Sequence, residues 1–288
     1  MNFQHILFPV DFTDRCSAAA KYVRAMAVSF ESNVTLVHAV DDPLKWYGAP
    51  DPEKVVEIDV PRLREESGQS LRKFAQTEFP GSEIAIVADL GDPAQLIEET
   101  SQRLSADLIM MPTRGRGRFR AALLGSVTTK VLHDLIIPVW TDVHQEAIPP
   151  ERNLAIRSIV CAVDLGPESV RGLRFASDFA NHWGAKLCVA HGIPVAEMLL
   201  GRYSEIEPPV YMEDFARAEI EKLQSEAGTS AAVWLEGAPI AQAVRNAADQ
   251  HHADLVIIGR SEIGRPAGVM KEHTHAIIRE SPCPVLSL

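Results

Sequence analysis

A chain of 288 residues is long enough for about two domains, and a hydrophobic content of 46% lets each of them bury a core. The formal net charge of −11 creates a long-range field that excludes general binding to nucleic acid or to an anionic membrane surface. Cys16, Cys161, Cys188 and Cys283 are scattered without a CxxC pair, which excludes a zinc knuckle or a disulfide framework. No apolar run approaches the ~20 residues of a membrane helix and no charged-then-apolar leader opens the chain, so a soluble cytoplasmic protein is the default expectation.

Residues 6–10 predict a first strand, ended by Asp11, with Thr13 or Asp14 placed to cap the next helix. Ala18, Ala19, Tyr22, Val23, Met26 and Ala27 give that helix an apolar face. Residues 34–40 predict a second strand. Residues 42–59, with Pro43, Trp46, Tyr47, Pro50 and Pro52, form a loop whose length favours a lid or a contact surface. A helix is expected over 62–78, a third strand over 84–87, and another helix after Gly91-Asp92-Pro93 with Leu96, Ile97 and Leu104 in its core. Residues 108–111 read as a buried parallel strand. Residues 136–140 read as a fifth strand, whose Pro138 suits an edge or a first position. Strands and helices alternating at these lengths define an α/β fold with a parallel, doubly wound sheet.

Between the fourth and fifth strands lies an anion-binding pattern. Residues 112–124 carry Arg114, Gly115, Arg116, Gly117, Arg118 and Arg120, and Gly125-Ser126 then opens a helix through Val127, Val131 and Leu132. Helix-start amides and the helix dipole favour negative charge there, and glycine lets the backbone approach a ligand closely. Arginine-rich residues 114–120 could contact RNA, but Phe119 alone gives no stacking platform, and a basic loop that steers a nucleotide is the better reading. The pattern is neither a P-loop nor a dinucleotide fingerprint, because Gly-Lys-Ser/Thr is missing and Arg120 stands where a third glycine belongs.

After a polar linker at 145–155 the chain begins again. Residues 157–164 parallel 4–11, 187–191 parallel 34–38, Gly237-Ala238-Pro239 parallels Gly91-Asp92-Pro93, 253–259 parallel 106–112, and 282–286 parallel 136–140. Asp11 thus aligns with Asp164 and His38 with His191. Matches in this order at nearly constant offset are an internal duplication, with domains over 1–144 and 155–288. His38 and His191 read as satisfied structural histidines. His251, His252, His273 and His275 read as surface histidines, because no ligand-spaced cluster accompanies them beyond the adjacent Glu272.

Pro9-Val10-Asp11, His38, Gly91-Asp92-Pro93, and Thr113-Arg114-Gly115 followed nine residues later by Gly125-Ser126-Val127 resemble the universal stress protein family in tandem form. The resemblance implies, for each half, a five-stranded parallel sheet of order 3-2-1-4-5, of the adenine nucleotide alpha hydrolase-like kind. It also implies an intrachain pseudo-dimer through 137–141 and 285–288, and is compatible with chain dimers through edge strands or helices. It implies ATP, with or without magnesium, near Pro9 and Val10: Asp11 at the ribose, the Ala39 backbone at the adenine, and Pro112, Arg114, Gly115, Gly125, Ser126 and Val127 around the phosphates. That place also follows from the switch-point rule for such sheets. Pro112 stands where the family has its leading glycine, so any contact from that amide is lost. In the second half Gly259 is present, but Glu262 replaces the next glycine and the Gly-Ser position falls on Lys271-Glu272 or Glu272-His273, so ATP binding in the family's manner is not expected there.

Asp11 has a plainer reading as a turn or capping residue, and for Asp164 that reading is preferred. Ser126 has no histidine partner fixed by sequence and only Asp11 is placed to help hold magnesium, so the chain is not expected to be an enzyme beyond slow ATP turnover. The expectation is an ATP-binding regulatory protein with an unknown protein partner. The alternatives are an interaction protein without nucleotide and a slow ATP hydrolase.

Overall fold

The computed structural model describes residues 2–40, 59–113, 124–142, 155–193, 210–260 and 269–288. In the first repeat the apolar runs become β1 (His5–Pro9), β2 (Asn33–Val40), β3 (Ala85–Leu90), β4 (Leu108–Pro112) and β5 (Val139–Asp142). Between them lie α1 (Asp14–Phe30), α2 (Val60–Glu78), α3 (Pro93–Leu104) and α4 (Ser126–Asp134). The second repeat supplies β6 (Ser158–Ala162), α5 (Ser169–Trp183), β7 (Lys186–Gly192), α6 (Val210–Ala227), β8 (Ala232–Glu236), α7 (Ile240–Gln250), β9 (Leu255–Ile258), α8 (Val269–Glu280) and β10 (Val285–Ser287). Packing divides the chain into two units, Asn2–Val139 and Trp140–Leu288.

Within the first repeat the strand order is β3-β2-β1-β4-β5, and within the second β8-β7-β6-β9-β10, the expected 3-2-1-4-5 twice. β1 pairs in parallel with β2 and β4, and β6 with β7 and β9. Such a sheet is covered on both faces, which is why its central strands are apolar without alternation: Ile6, Leu7, Phe8, Ile159 and Val160 are all fully buried. Helix α1 turns Cys16, Ala19, Ala20, Val23, Met26 and Phe30 inward, and α5 turns Leu173, Ala176, Phe179 and Ala180.

The copies repeat their local chemistry as well as their order. The Asp107 carboxylate accepts from the amides of Gln4 at 2.9 Å and His5 at 3.2 Å. Asp254 does the same for Arg157 at 2.7 Å and Ser158 at 3.0 Å. Each carboxylate satisfies amides where its central strand begins, ahead of the sheet ladder. Glu31 and Gly184 close α1 and α5 in the left-handed region, at φ 53° and 63°.

Two expectations are corrected. The fifth strand begins at Val139, three residues later than expected, and Ile136 is exposed. Pro138 has no amide to give the ladder; its carbonyl accepts from Ile109 at 2.9 Å and the strand starts after it. Thr13 occupies the N-cap position of α1 but makes no side-chain cap bond. Its hydroxyl donates backwards to Asp11.

All four cysteines are free and buried. Burial pushes the thiols of Cys16, Cys161 and Cys283 up to about 12 and that of Cys188 to about 11. Unfolded thiols ionise near the ordinary value, so between pH 9 and 12 the unfolded chain binds fewer protons than the folded one. Folding stability is therefore expected to be intact below pH 9 and to fall as pH rises from there. Urea midpoints measured from pH 7.5 to 11 on the wild type and on a variant with all four cysteines changed to alanine would check this: the wild type should show the steeper alkaline decline.

Candidate functional site

The carboxyl ends of β1, β2 and β4 meet at one place. Pro9 is opposite Val37 and Leu7 opposite Ile109, so Asp11 follows just past the end of β1, where β2 runs on through Ala39 to Val40 and β4 to Pro112. The Val10 amide donates to the Val37 carbonyl at 2.8 Å. Its own carbonyl accepts from His38 Nδ1 at 2.7 Å, which fixes the ring proton on that nitrogen. His191 repeats the bond to Val163 at 2.8 Å, and burial holds it below the ordinary histidine range.

After Val10 the chain turns sharply. Phe12 lies in the left-handed region at φ 60° and Leu165 repeats this at φ 62°, an uncommon conformation for bulky residues. The Phe12 ring compensates by packing on His38, with ring centroids 4.6 Å apart, and on Phe74 of α2 at 6.2 Å. Asp11 Oδ1 organises the turn: it accepts from the Thr13 amide at 3.1 Å, the Thr13 hydroxyl at 2.7 Å and Cys16 Sγ at 2.9 Å. Asp164 Oδ1 likewise accepts from the Gly166 amide at 2.9 Å and the Ser169 hydroxyl at 2.7 Å. The matched aspartates therefore share turn chemistry, and Cys16 does the work of a serine. Burial, then the Asp11 charge, keeps its thiol protonated and able to donate.

The other side of the crevice is framed by β4 and α4. The Gly125 amide donates to the Thr113 carbonyl at 2.9 Å, and the Thr128 hydroxyl lies 3.3 Å from the carbonyls of both Pro112 and Thr113. Strand end and helix start are thereby held together. Gly125 is the N-cap of α4, with no side-chain cap bond. The first amides of α4, at Ser126, Val127 and Thr128, have no acceptor within the helix. Beside them Lys130 pairs with Asp92 at 3.1 Å. Asp92 also caps α3 through the Gln95 amide at 3.0 Å, and that bond, with Lys130 adding to it, holds its carboxyl below the usual aspartate range.

Pro9, Val10, Asp11, Ala39, Pro112, Gly125, Ser126 and Val127 thus lie around the ends of β1, β2 and β4 and the start of α4. Arg114 and Gly115, the loop at 42–58, and Glu262 lie outside the described residues, as do the side chains of Lys271 and Glu272. Cys16, Thr128 and the Asp92–Lys130 pair escaped the sequence reading. For Cys16 a signal was present: it follows Asp11 at the spacing by which Ser169 follows Asp164. His251 is corrected from a surface histidine. It is half-buried, 3.4 Å from Cys188 Sγ, with Trp234 edge-on to its ring.

Doubly wound sheets in tandem, each with an aspartate turn after its first strand, define the class. The sequence profile of the universal stress protein family matches residues 2–141 and again 155–288. The chain belongs to that family and carries its domain twice. Among relatives, Universal stress protein MJ0531 of Methanocaldococcus jannaschii is 32% identical over 138 residues, which is 48% of this chain and 80% of that protein. The crystal structure of a universal stress protein from Archaeoglobus fulgidus covers 99% of this chain and 97% of its own, with a TM-score of 0.69 and 20% identity. A functionally unknown protein, PA1789 of Pseudomonas aeruginosa, covers 99% and 92% with a TM-score of 0.64 and 18% identity. At these identities the structural likeness speaks for the fold. No helix among the described residues is long and apolar enough to cross a membrane.

Proposed function

We propose that the N-terminal half binds ATP and that the protein is a cytoplasmic regulatory binder rather than an enzyme. The observation that carries this reading is the start of α4. Gly125 leaves the first amides without a side-chain acceptor, and the Thr113 bond holds them at the end of β4, the neighbour of β1 in the sheet. Phosphate oxygens fit such donors, since the amides and the helix dipole both favour negative charge. The amides of Ser126 and Val127 would receive the phosphates beside Gly125, whose missing side chain lets them approach, with Arg114 and Gly115 adding to them. Asp11 would meet the ribose, and the Ala39 backbone would meet the adenine. Among the described residues no group of three or more His, Cys, Asp or Glu side chains could hold a metal ion, so magnesium would arrive with the phosphates. Bound ATP would change a surface read by a protein partner.

Equilibrium dialysis of the full chain with ATP tests this. Saturable uptake of one nucleotide per chain is expected. The absence of saturable uptake at millimolar ATP would overturn the reading, and uptake of two would show that the second copy binds as well.

A further inference from the structure

At the amino-terminal edge of the second repeat's sheet, where β6, β7 and β8 begin, lies a basin of about 850 Å³. Arg157, Lys186, Cys188, His251, His252 and Asp254 line it. Several of its acceptors are already engaged. The Asp254 carboxylate takes the amides of Arg157 and Ser158, and the His251 carbonyl takes the Ser158 hydroxyl at 2.9 Å. At the end of α7 the carbonyls of Ala247, Ala248 and Asp249 take the amides of His251, Ala253 and His252. Its side-chain donors are not engaged: among the described residues the Arg157 guanidinium and the Lys186 ammonium have no hydrogen-bond or ion-pair partner, nor has the His252 ring. The Cys188 thiol, which also reaches the Val189 carbonyl at 3.8 Å, lies 3.4 Å from His251 Nε2 and ties that ring to the floor of the basin.

The duplication supplies an internal control. The positions matched to Arg157, Lys186 and His252 are Gln4, Asn33 and Ser105. The backbone there is alike in both copies, down to the left-handed Ser105 at φ 51° and His252 at φ 47°. The second copy thus differs by two cations and an imidazole, all exposed at the rim of a cavity, in a chain of net charge −11. Two cationic donors without partners favour an anion, and a planar guanidinium beside an ammonium suits a tetrahedral oxyanion.

We propose that this basin binds a phosphate group, as free inorganic phosphate or as the phosphate of a small ester, independently of the nucleotide reading for the first copy.

The test follows the ring signals of His251 and His252 and the indole signal of Trp234 by NMR, in the full chain, during titration with inorganic phosphate and separately with glycerol phosphate. Saturable shifts are expected with at least one of them, and the tighter of the two identifies the source. The triple variant Arg157→Gln, Lys186→Asn, His252→Ser, built from residues the first copy carries at matched places, should fold with an unchanged circular dichroism spectrum and bind about tenfold more weakly or worse. No saturable shift with either ligand, or the same affinity in the triple variant, would overturn the proposal.

Discussion

Gly125→Asp is expected to abolish ATP uptake while leaving the protein folded. Gly125 has φ −62° and ψ 148°, which any residue adopts, so the backbone has no objection to a side chain there. Aspartate is a preferred N-cap, and its carboxylate would accept from the amides one turn into α4, gaining a few tenths of a kcal/mol over glycine. The amides it takes are the ones proposed for phosphate. Losing two charge-assisted bonds of about 1.5–3 kcal/mol each weakens binding on the order of a hundredfold or more, before repulsion between like charges is added. Dialysis and a thermal melt on the same sample separate the effects: uptake should vanish with the melting temperature unchanged or slightly raised. Unchanged uptake would mean that the phosphates do not sit at the start of α4.

The second large effect is in the other copy. Gly192→Ala should destabilise the second unit by about 2–3 kcal/mol, because overpacking against backbone has little room to relax. A Cβ at Gly192 would lie 2.8 Å from the Ala238 carbonyl oxygen and from Ile240 Cα, and 3.1 Å from Ala243 Cβ. These atoms belong to the turn into α7 and to its alanine face, so no flexible side chain can yield. The matched position in the first repeat is Ala39, which already carries the methyl group. The reciprocal change, Ala39→Gly, should lower stability by only about 1 kcal/mol or less, the ordinary penalty of glycine in a strand. Urea unfolding with Trp234 fluorescence reporting the second unit would measure the first effect. A loss under about 0.5 kcal/mol would show that the turn moves away easily.

That asymmetry bears on how far the amino-acid sequence could be read. The duplication was legible because paired residues such as Asp11 and Asp164, or Asp107 and Asp254, meet the same local demands in both copies. The strands were legible because a sheet covered on both faces leaves apolar runs, and the start of α3 was legible because Pro93 suits a first helical position. Strand five was misplaced because hydrophobicity marked Ile136 while the ladder waited for an amide beyond Pro138. Thr13 was misjudged because hydroxyl direction depends on a neighbour, and the Asp11 carboxylate drew it backwards. Cys16 went unread because a thiol rarely takes the place of a hydroxyl, although it follows Asp11 at the spacing by which Ser169 follows Asp164. His251 gave no signal, since its partners Cys188 and Trp234 arrive from other strands. The close approach at Gly192 was equally silent, being set by a turn more than forty residues downstream.

The bond between Thr113 and Gly125 holds two chain positions twelve residues apart at hydrogen-bonding distance. An engineer can treat that junction as an insertion port. Because closure entropy grows only as the logarithm of length, doubling the intervening span adds about 0.6 kcal/mol. A reporter domain grafted there would sit next to the first turn of α4, so that occupancy of the crevice could be followed as a change in light output.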